Sequence, residues 1–157
     1  MLFQNRLDEA HEAIVEGLEL IRRVGNFRAE AISRLNYSAL LCEFGEPAAG
    51  MEQAEIARAT IDRIGAKVWE PLAWSSLGLC QSYVCDRTAA IASARKGANM
   101  AVKTSRALLG PWSLGILALV TTDADERRAL TAHGLNPADE KNQNVSISIF
   151  SCSFNFQ

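Results

Sequence analysis

Few side chains in this sequence have the types and the spacing that catalysis or metal binding requires. The four cysteines include no CxxC pair, and no pair of histidines lies close to them in sequence. On a helix, the five-residue spacing of Cys80 and Cys85 turns their side chains about 140° apart, which disfavours a disulfide between them. We therefore expect reduced cysteines that pack as small apolar residues, and no cofactor.

The most concentrated acidic run, at Asp123, Asp125 and Glu126, could suggest a cation site. An EF-hand loop also needs a central glycine and a distal glutamate, which this run lacks. Acidic residues are favoured at the start of a helix by its dipole, so we expect a helix start here. The phosphate loop, the GxGxxG turn and the HExxH and GxSxG motifs are missing. These observations predict a protein that is not an enzyme and holds no metal.

The composition predicts a soluble, globular, cytoplasmic protein. Hydrophobic residues make up 48% of the 157 residues and charged residues 22%, and the formal net charge is −2. This balance gives no generic attraction to nucleic acid or to an anionic membrane. The uncharged stretches 71–85 and 107–122 are shorter than the roughly 20 residues of a membrane span. No apolar run precedes the first charge, so we expect no secretory signal and no membrane association.

Residue size and turn chemistry recur at a spacing of 40. Arg23–Asn26 recurs as Arg63–Ala66, Pro71 as Pro111, and Gly50 matches Ala90. A stacked repeat preserves these properties. The predicted helices lie at residues 6–24, 28–44, 47–64, 68–85, 87–105, 111–122 and 123–133. The sequence thus predicts an all-α stack of antiparallel helical hairpins, with an extra helix before the first hairpin.

Glycine and proline mark the expected ends of these helices. Gly25, Gly45 and Gly65 each follow an apolar periodic run, and glycine accepts the left-handed backbone that closes a helix. Pro71 and Pro111 are expected near helix starts, where a missing N–H costs nothing. The extra first helix carries one apolar stripe and is otherwise highly charged, so its His11 is expected to be solvated.

One predicted helix, 87–105, carries basic residues and no acidic ones: Arg87, Arg95, Lys96 and Lys103, with Arg106 just beyond it. Together with Trp69, Trp74 and Trp112, this helix could form a nucleic-acid face. The acidic first helix cancels the net charge, so a solvated outer face is the favoured interpretation and nucleic acid is not the expected partner.

The segment Trp74-x-x-Leu77-Gly78, followed by Ala90, resembles the tetratricopeptide pattern W-x2-L-G…A. Gly78 and Ala90 are small, so their two helices can approach closely. Gln81 departs from the usual tyrosine of that pattern, and the period of 40 exceeds the usual 34. The resemblance implies a right-handed α-solenoid, with a groove that takes a peptide or a partner helix.

By the same resemblance, six residues of the first helices in two successive units line this groove. They are Leu35, Ala39, Cys42, Ser75, Leu79 and Ser82. Their small, uncharged side chains favour an apolar or helical partner over an acidic peptide. Two interpretations stay open: a partner occupies the groove, or another hairpin of the same protein covers these residues.

Three segments resemble the C-terminal repeat region of bacterial signalling proteins that join a class III adenylate or guanylate cyclase to an ATPase module. They are residues 22–31 (RRVGNFRAEA), 110–119 (GPWSLGILAL) and 125–130 (DERRAL). No cyclase or ATPase motif accompanies them. The resemblance implies a scaffold that binds a protein or peptide, or other domains of a larger parent protein. The alternative is a regulatory fragment of a cyclase or ATPase-type regulator whose catalytic domains are absent from this chain.

The C-terminal segment departs from the repeat. Residues 145–149 alternate apolar and polar side chains, which is a strand pattern, yet no matching strand is evident upstream. We therefore predict a helical repeat domain over residues 1–138 and a divergent, disordered tail over 139–157. The alternative is an extended arm laid on the last helix pair.

Overall fold

In a computed structural model, the residues described are 6–104 and 106–134, and this part of the chain is helical and contains no strand. Its seven α-helices are α1 (Leu7–Val24), α2 (Phe27–Glu43), α3 (Pro47–Arg63), α4 (Glu70–Tyr83), α5 (Arg87–Thr104), α6 (Arg106–Val120) and α7 (Ala124–Gly134). A short 3-10 turn, Lys67–Trp69, precedes α4. The all-α prediction is confirmed, and the predicted tail lies outside the described residues.

The first four helix connections place a left-handed residue every 20 positions. Gly25, Gly45 and Gly65 have φ angles of 71°, 79° and 67°, and Cys85 has a φ of 63°. In each turn the N–H of the left-handed residue and that of the next residue bond back to the preceding helix, as in a Schellman motif. The three glycine stops are confirmed, and Cys85 fills the fourth position of the series.

The two prolines that match at a spacing of 40 sit differently in their helices. Pro71 lies in the first turn of α4, as predicted. Pro111 lies inside α6, which begins at Arg106, so its predicted place at a helix start is wrong. Leu109 packs in a core cluster with Leu72 and Ala101. Leu109 lies in the helical turn that precedes Pro111, so this turn is held against the core.

The helices pack as successive pairs around α4. The pairs are α2 with α3, α4 with α5, and α6 with α7, and each first helix also contacts the first helix of the next pair. The central helix α4 touches α2, α3, α5 and α6, and residues 71–73 and 75–80 are buried. Burial on all these sides explains why this stretch carries no charge, because an unpaired buried charge is costly.

Small residues set the close approach within the pairs. A Cβ atom on Gly78 would stand 2.7 Å from the backbone nitrogen of Ala94 and 2.9 Å from the Ala90 carbonyl oxygen. A Cβ atom on Gly50 would stand 2.7 Å from the Ser38 carbonyl oxygen. The predicted close contact of Gly78 with Ala90 is confirmed.

Candidate partner-binding surfaces

The six residues predicted to line a groove are mostly covered by the chain itself. Leu35, Cys42, Ser75 and Leu79 are buried, whereas Ala39 and Ser82 are half-buried. Burial of these four corresponds to the alternative in which helices of the same protein cover them. Binding of a partner by these residues stays a prediction.

Two buried thiols meet where successive helix pairs pack together. Cys42 on α2 and Cys80 on α4 each place Sγ 3.3 Å from the position of a Cβ on Gly50, and Cys80 donates to the Ser38 carbonyl at 3.8 Å. The hydrogen bond to the Cys80 sulfur, together with burial, raises the pKa of the Cys42 thiol. A buried, protonated thiol is a poor nucleophile, so Cys42 acts as core packing. Cys80 is fully buried beside it and packs in the same core. Sequence reasoning missed this contact because it paired Cys80 with Cys85 alone.

A basic cleft of about 370 Å³ runs along the outer face of α5. Its lining residues are Ala92, Arg95, Lys96, Asn99, Met100 and Lys103. The Lys96 Nζ lies 3.6 Å from the ring centroid of Trp74, and the Arg58 guanidinium carbon lies 5.4 Å from it. These cation–π contacts hold Trp74, so its ring is not free to stack on a base. The predicted solvated face is confirmed for Arg87, Arg95, Lys96 and Lys103, which are all exposed.

The acidic run at residues 123–126 organises the turn between α6 and α7. The Asp123 carboxylate accepts the backbone N–H groups of Glu126 and Asp125, which hold its pKa below the usual value. Glu126 pairs with Arg95 at 2.7 Å. The hydrogen bond from Arg95 and, to a smaller extent, the one from Thr121 lower the pKa of Glu126. The predicted helix start is confirmed, and no group of potential metal ligands occurs among the described residues.

A charged network ties α1 and α3 to α2. The Arg34 guanidinium is buried and donates to Glu30 at 2.9 Å and to Gln53 on α3. Arg22 on α1 donates to the same Glu30 oxygen at 3.2 Å. Burial raises the pKa of Glu30, but the hydrogen bonds from Arg34 and Arg22 outweigh burial and leave the pKa below its usual value.

His11 on α1 lies in an aromatic cluster, so the prediction of a solvated histidine is wrong. Its ring centroid is 5.5 Å from that of Tyr37 and 5.4 Å from that of Phe44. His11 follows Ala10 on the side of α1 that faces α2, and the ring packs edge-on against Phe44. The apolar stripe on that side overrides the charged composition of the helix.

One face of the first helix is covered by none of the residues that the structure describes. Ala13, Gly17, Leu20 and Val24 are spaced 4, 3 and 4 residues apart, so they share one side of α1. Leu20 is 60% exposed and Val24 is 81% exposed. The stripe that packs on α2 lies about 90° around the helix and includes the buried Ala10 and Leu18. This second side of α1 is therefore an exposed apolar face.

Comparisons with models of protein families, with curated proteins and with solved structures returned no match to this chain. Within residues 6–104 and 106–134, no helix has the length and apolar character needed to cross a membrane.

Proposed function

We propose that this chain is a non-enzymatic, tetratricopeptide-like α-solenoid that binds a peptide or a helix of a partner protein, as part of a cytoplasmic signalling assembly. Its fold class within the all-α proteins would be a stack of repeating hairpins. One observation carries the proposal: helix contacts recur at the 40-residue spacing of the sequence.

This recurrence is visible at the closest contacts. Ser38 and Gly78 are equivalent first-helix positions, and Gly50 and Ala90 are their second-helix partners. Each pair contains one glycine at the closest approach. In the first hairpin it is Gly50, on the second helix, and in the next hairpin it is Gly78, on the first helix. Reuse of one contact in successive hairpins supports a stacked repeat, because each repeat contacts only its neighbours.

The charge distribution supports a binding role. Helix α1 carries five acidic residues and α5 carries four basic ones with no acidic residue. Lys96 and Lys103 have no ion pair in the described part of the chain, and neither do Glu12 and Glu16. Exposed charge without an ion pair on two separate helices offers two surfaces of opposite sign, and complementary charge guides partner choice.

Affinity capture with quantitative mass spectrometry tests the proposal. The bait is the full chain, beside single variants of the two surfaces, Leu20→Glu and Lys96→Glu, and a control variant, Leu108→Glu. We expect the full chain and the control variant to capture a protein partner that one of the two surface variants fails to capture. The purified partner should also bind the purified full chain. Capture of the same proteins by all four baits would contradict a specific binding role. The cyclase or ATPase-regulator alternative stays a prediction, and it would gain support if the partner carried such a domain.

A further inference from the structure

The uncovered face of α1 occupies the position at which a hairpin partner packs elsewhere in the molecule. Gly17, Ala57 and Gly97 are spaced 40 apart on α1, α3 and α5. Ala57 lies in the core cluster with Leu35 of α2. A Cβ on Gly97 would stand 2.4 Å from the Ser75 Oγ and 2.7 Å from the Pro71 carbonyl oxygen, both on α4. A Cβ on Gly17 would meet no described atom within 4 Å.

The neighbouring positions show the same contrast. Thr60 on α3 is equivalent to Leu20 and is 8% exposed, against 60% for Leu20. Ser93 on α5 is buried, and its equivalent on α1, Ala13, is exposed. The face that α2 covers on α3, and α4 covers on α5, is therefore left open on α1 by residues 6–104 and 106–134. Its small residues leave room for a helix, and its large ones supply apolar contact area.

The acidic residues beside this face of α1 indicate what charge a helix bound to the face should carry. Glu12, Glu16 and Glu19 precede three of the stripe residues and form a parallel acidic row that ends at Arg23. Glu12 and Glu16 have no ion pair among residues 6–104 and 106–134, and Glu19 has only Arg23 at 3.7 Å. A second copy of α1 would bring the same acidic row to the interface, and like charges oppose that pairing.

We propose that this face of α1 binds an amphipathic helix of a partner protein, with lysine or arginine residues flanking its apolar stripe. The apolar stripe of the partner lies on Ala13, Gly17, Leu20 and Val24, and its basic residues face the acidic row. Docking of an apolar helix face into a groove, read at i, i+3, i+4 and i+7 spacing, is a common recognition mode. The inference rests on the proposed function, because it names the class of partner.

A synthetic peptide tests the inference directly. The probe is an 18-residue helix, the length of α1, with a leucine and alanine stripe flanked by lysines, titrated into the full chain by calorimetry. Its counterpart carries glutamate in place of each lysine. We expect the lysine peptide to bind with one-to-one stoichiometry, about tenfold or more tighter than the glutamate peptide, and more weakly as salt rises.

Matched variants locate the binding site. Leu20→Glu and Gly17→Leu should each weaken the lysine peptide about tenfold or more, and both positions are open enough for the free protein to fold. Leu108→Glu is the control, because Leu108 on α6 is 61% exposed and Leu20 is 60% exposed. Circular dichroism and melting curves establish that each variant is folded.

Three results would overturn the inference: no binding of the lysine peptide, equal binding by wild type and Leu20→Glu, or a mass of twice 17.1 kDa that Leu20→Glu abolishes. The last result would make a second copy the occupant. A captured partner that Lys96→Glu loses and Leu20→Glu retains would leave the proposed function standing and place the site on α5. Selective peptide binding to α1 without any captured protein partner would instead sink the proposed function.

Discussion

Helices α1 and α5 occupy equivalent positions in the 40-residue repeat, yet they differ in charge and in what covers them. On α5, Gly97 lies against α4, whereas its equivalent on α1, Gly17, has no neighbouring atom within 4 Å of an added Cβ in the described part of the chain. The same residue type at the same repeat position therefore serves a tight helix contact in one case and an uncovered surface in the other. Sequence spacing predicts where helices can approach, and the structure determines whether a neighbour is there.

The largest expected effect comes from adding one methyl group at each of these two glycines. Gly97→Ala should cost about 1–3 kcal/mol, because the new Cβ would overlap backbone atoms of α4. Gly17→Ala should instead raise the free energy of unfolding by up to about 1 kcal/mol, because alanine favours the helix over glycine. Urea unfolding of both variants measures the difference. Changes of the same sign would contradict the contrast between α1 and α5.

The close contact between α4 and α5 can also be disrupted by a substitution on α5, opposite Gly78. Ala90 is fully buried against Gly78, so Ala90→Leu should destabilise the protein by about 1–3 kcal/mol through overpacking. The matched control is Ala13→Leu on the open face of α1. Thermal unfolding should show a lower Tm for the α5 variant alone, and an unchanged Tm in both would mean that the two helices are not closely packed.

The anchor of α1 on α2 predicts a pH dependence. Glu30 has a lowered pKa in the folded state, so its ion pairs stabilise the protein above the unfolded-state pKa, near 4.5. That stability is lost as the pH falls through the folded-state pKa. Glu30→Gln should cost about 1–2 kcal/mol at pH 7. The difference in unfolding free energy between wild type and variant should shrink below pH 4.5, and a difference independent of pH would exclude the carboxylate as its cause.

The turn before α5 carries the smallest expected effect. Cys85 adopts a left-handed φ, where the equivalent turn before α3 has Gly45. A left-handed conformation costs a non-glycine residue about 1–2 kcal/mol, so Cys85→Gly should stabilise the protein by up to about 1 kcal/mol. Cys85→Ala, which removes the thiol and keeps the Cβ, should bring no gain. Equal melting temperatures for the glycine and alanine variants would argue against backbone strain.

The sequence predicted the helices well because their signals are local. Glycine stops, the early proline of α4 and the uncharged stretch 71–85 all reflect conditions within one or two turns of helix. The prediction that Pro111 lies at a helix start was wrong, because the start of α6 depends on a contact of Leu109 with core residues that are distant in sequence. Burial of Leu35 and Ser75 likewise depends on how closely successive pairs approach, which spacing along the chain does not encode. The open face of α1 was missed because Gly17 and Gly97 carry the same signal.

Native-state hydrogen exchange tests the central claim most directly, because it measures how well each helix is held by its neighbours. We expect that amides of α4, which is enclosed by α2, α3, α5 and α6, exchange only through global unfolding. Amides of α1, which packs mainly on α2, should exchange through a local opening of lower free energy. Addition of the lysine peptide should slow exchange in α1 and leave α5 unchanged. Protection of α1 equal to that of α4 in the free protein would contradict the account.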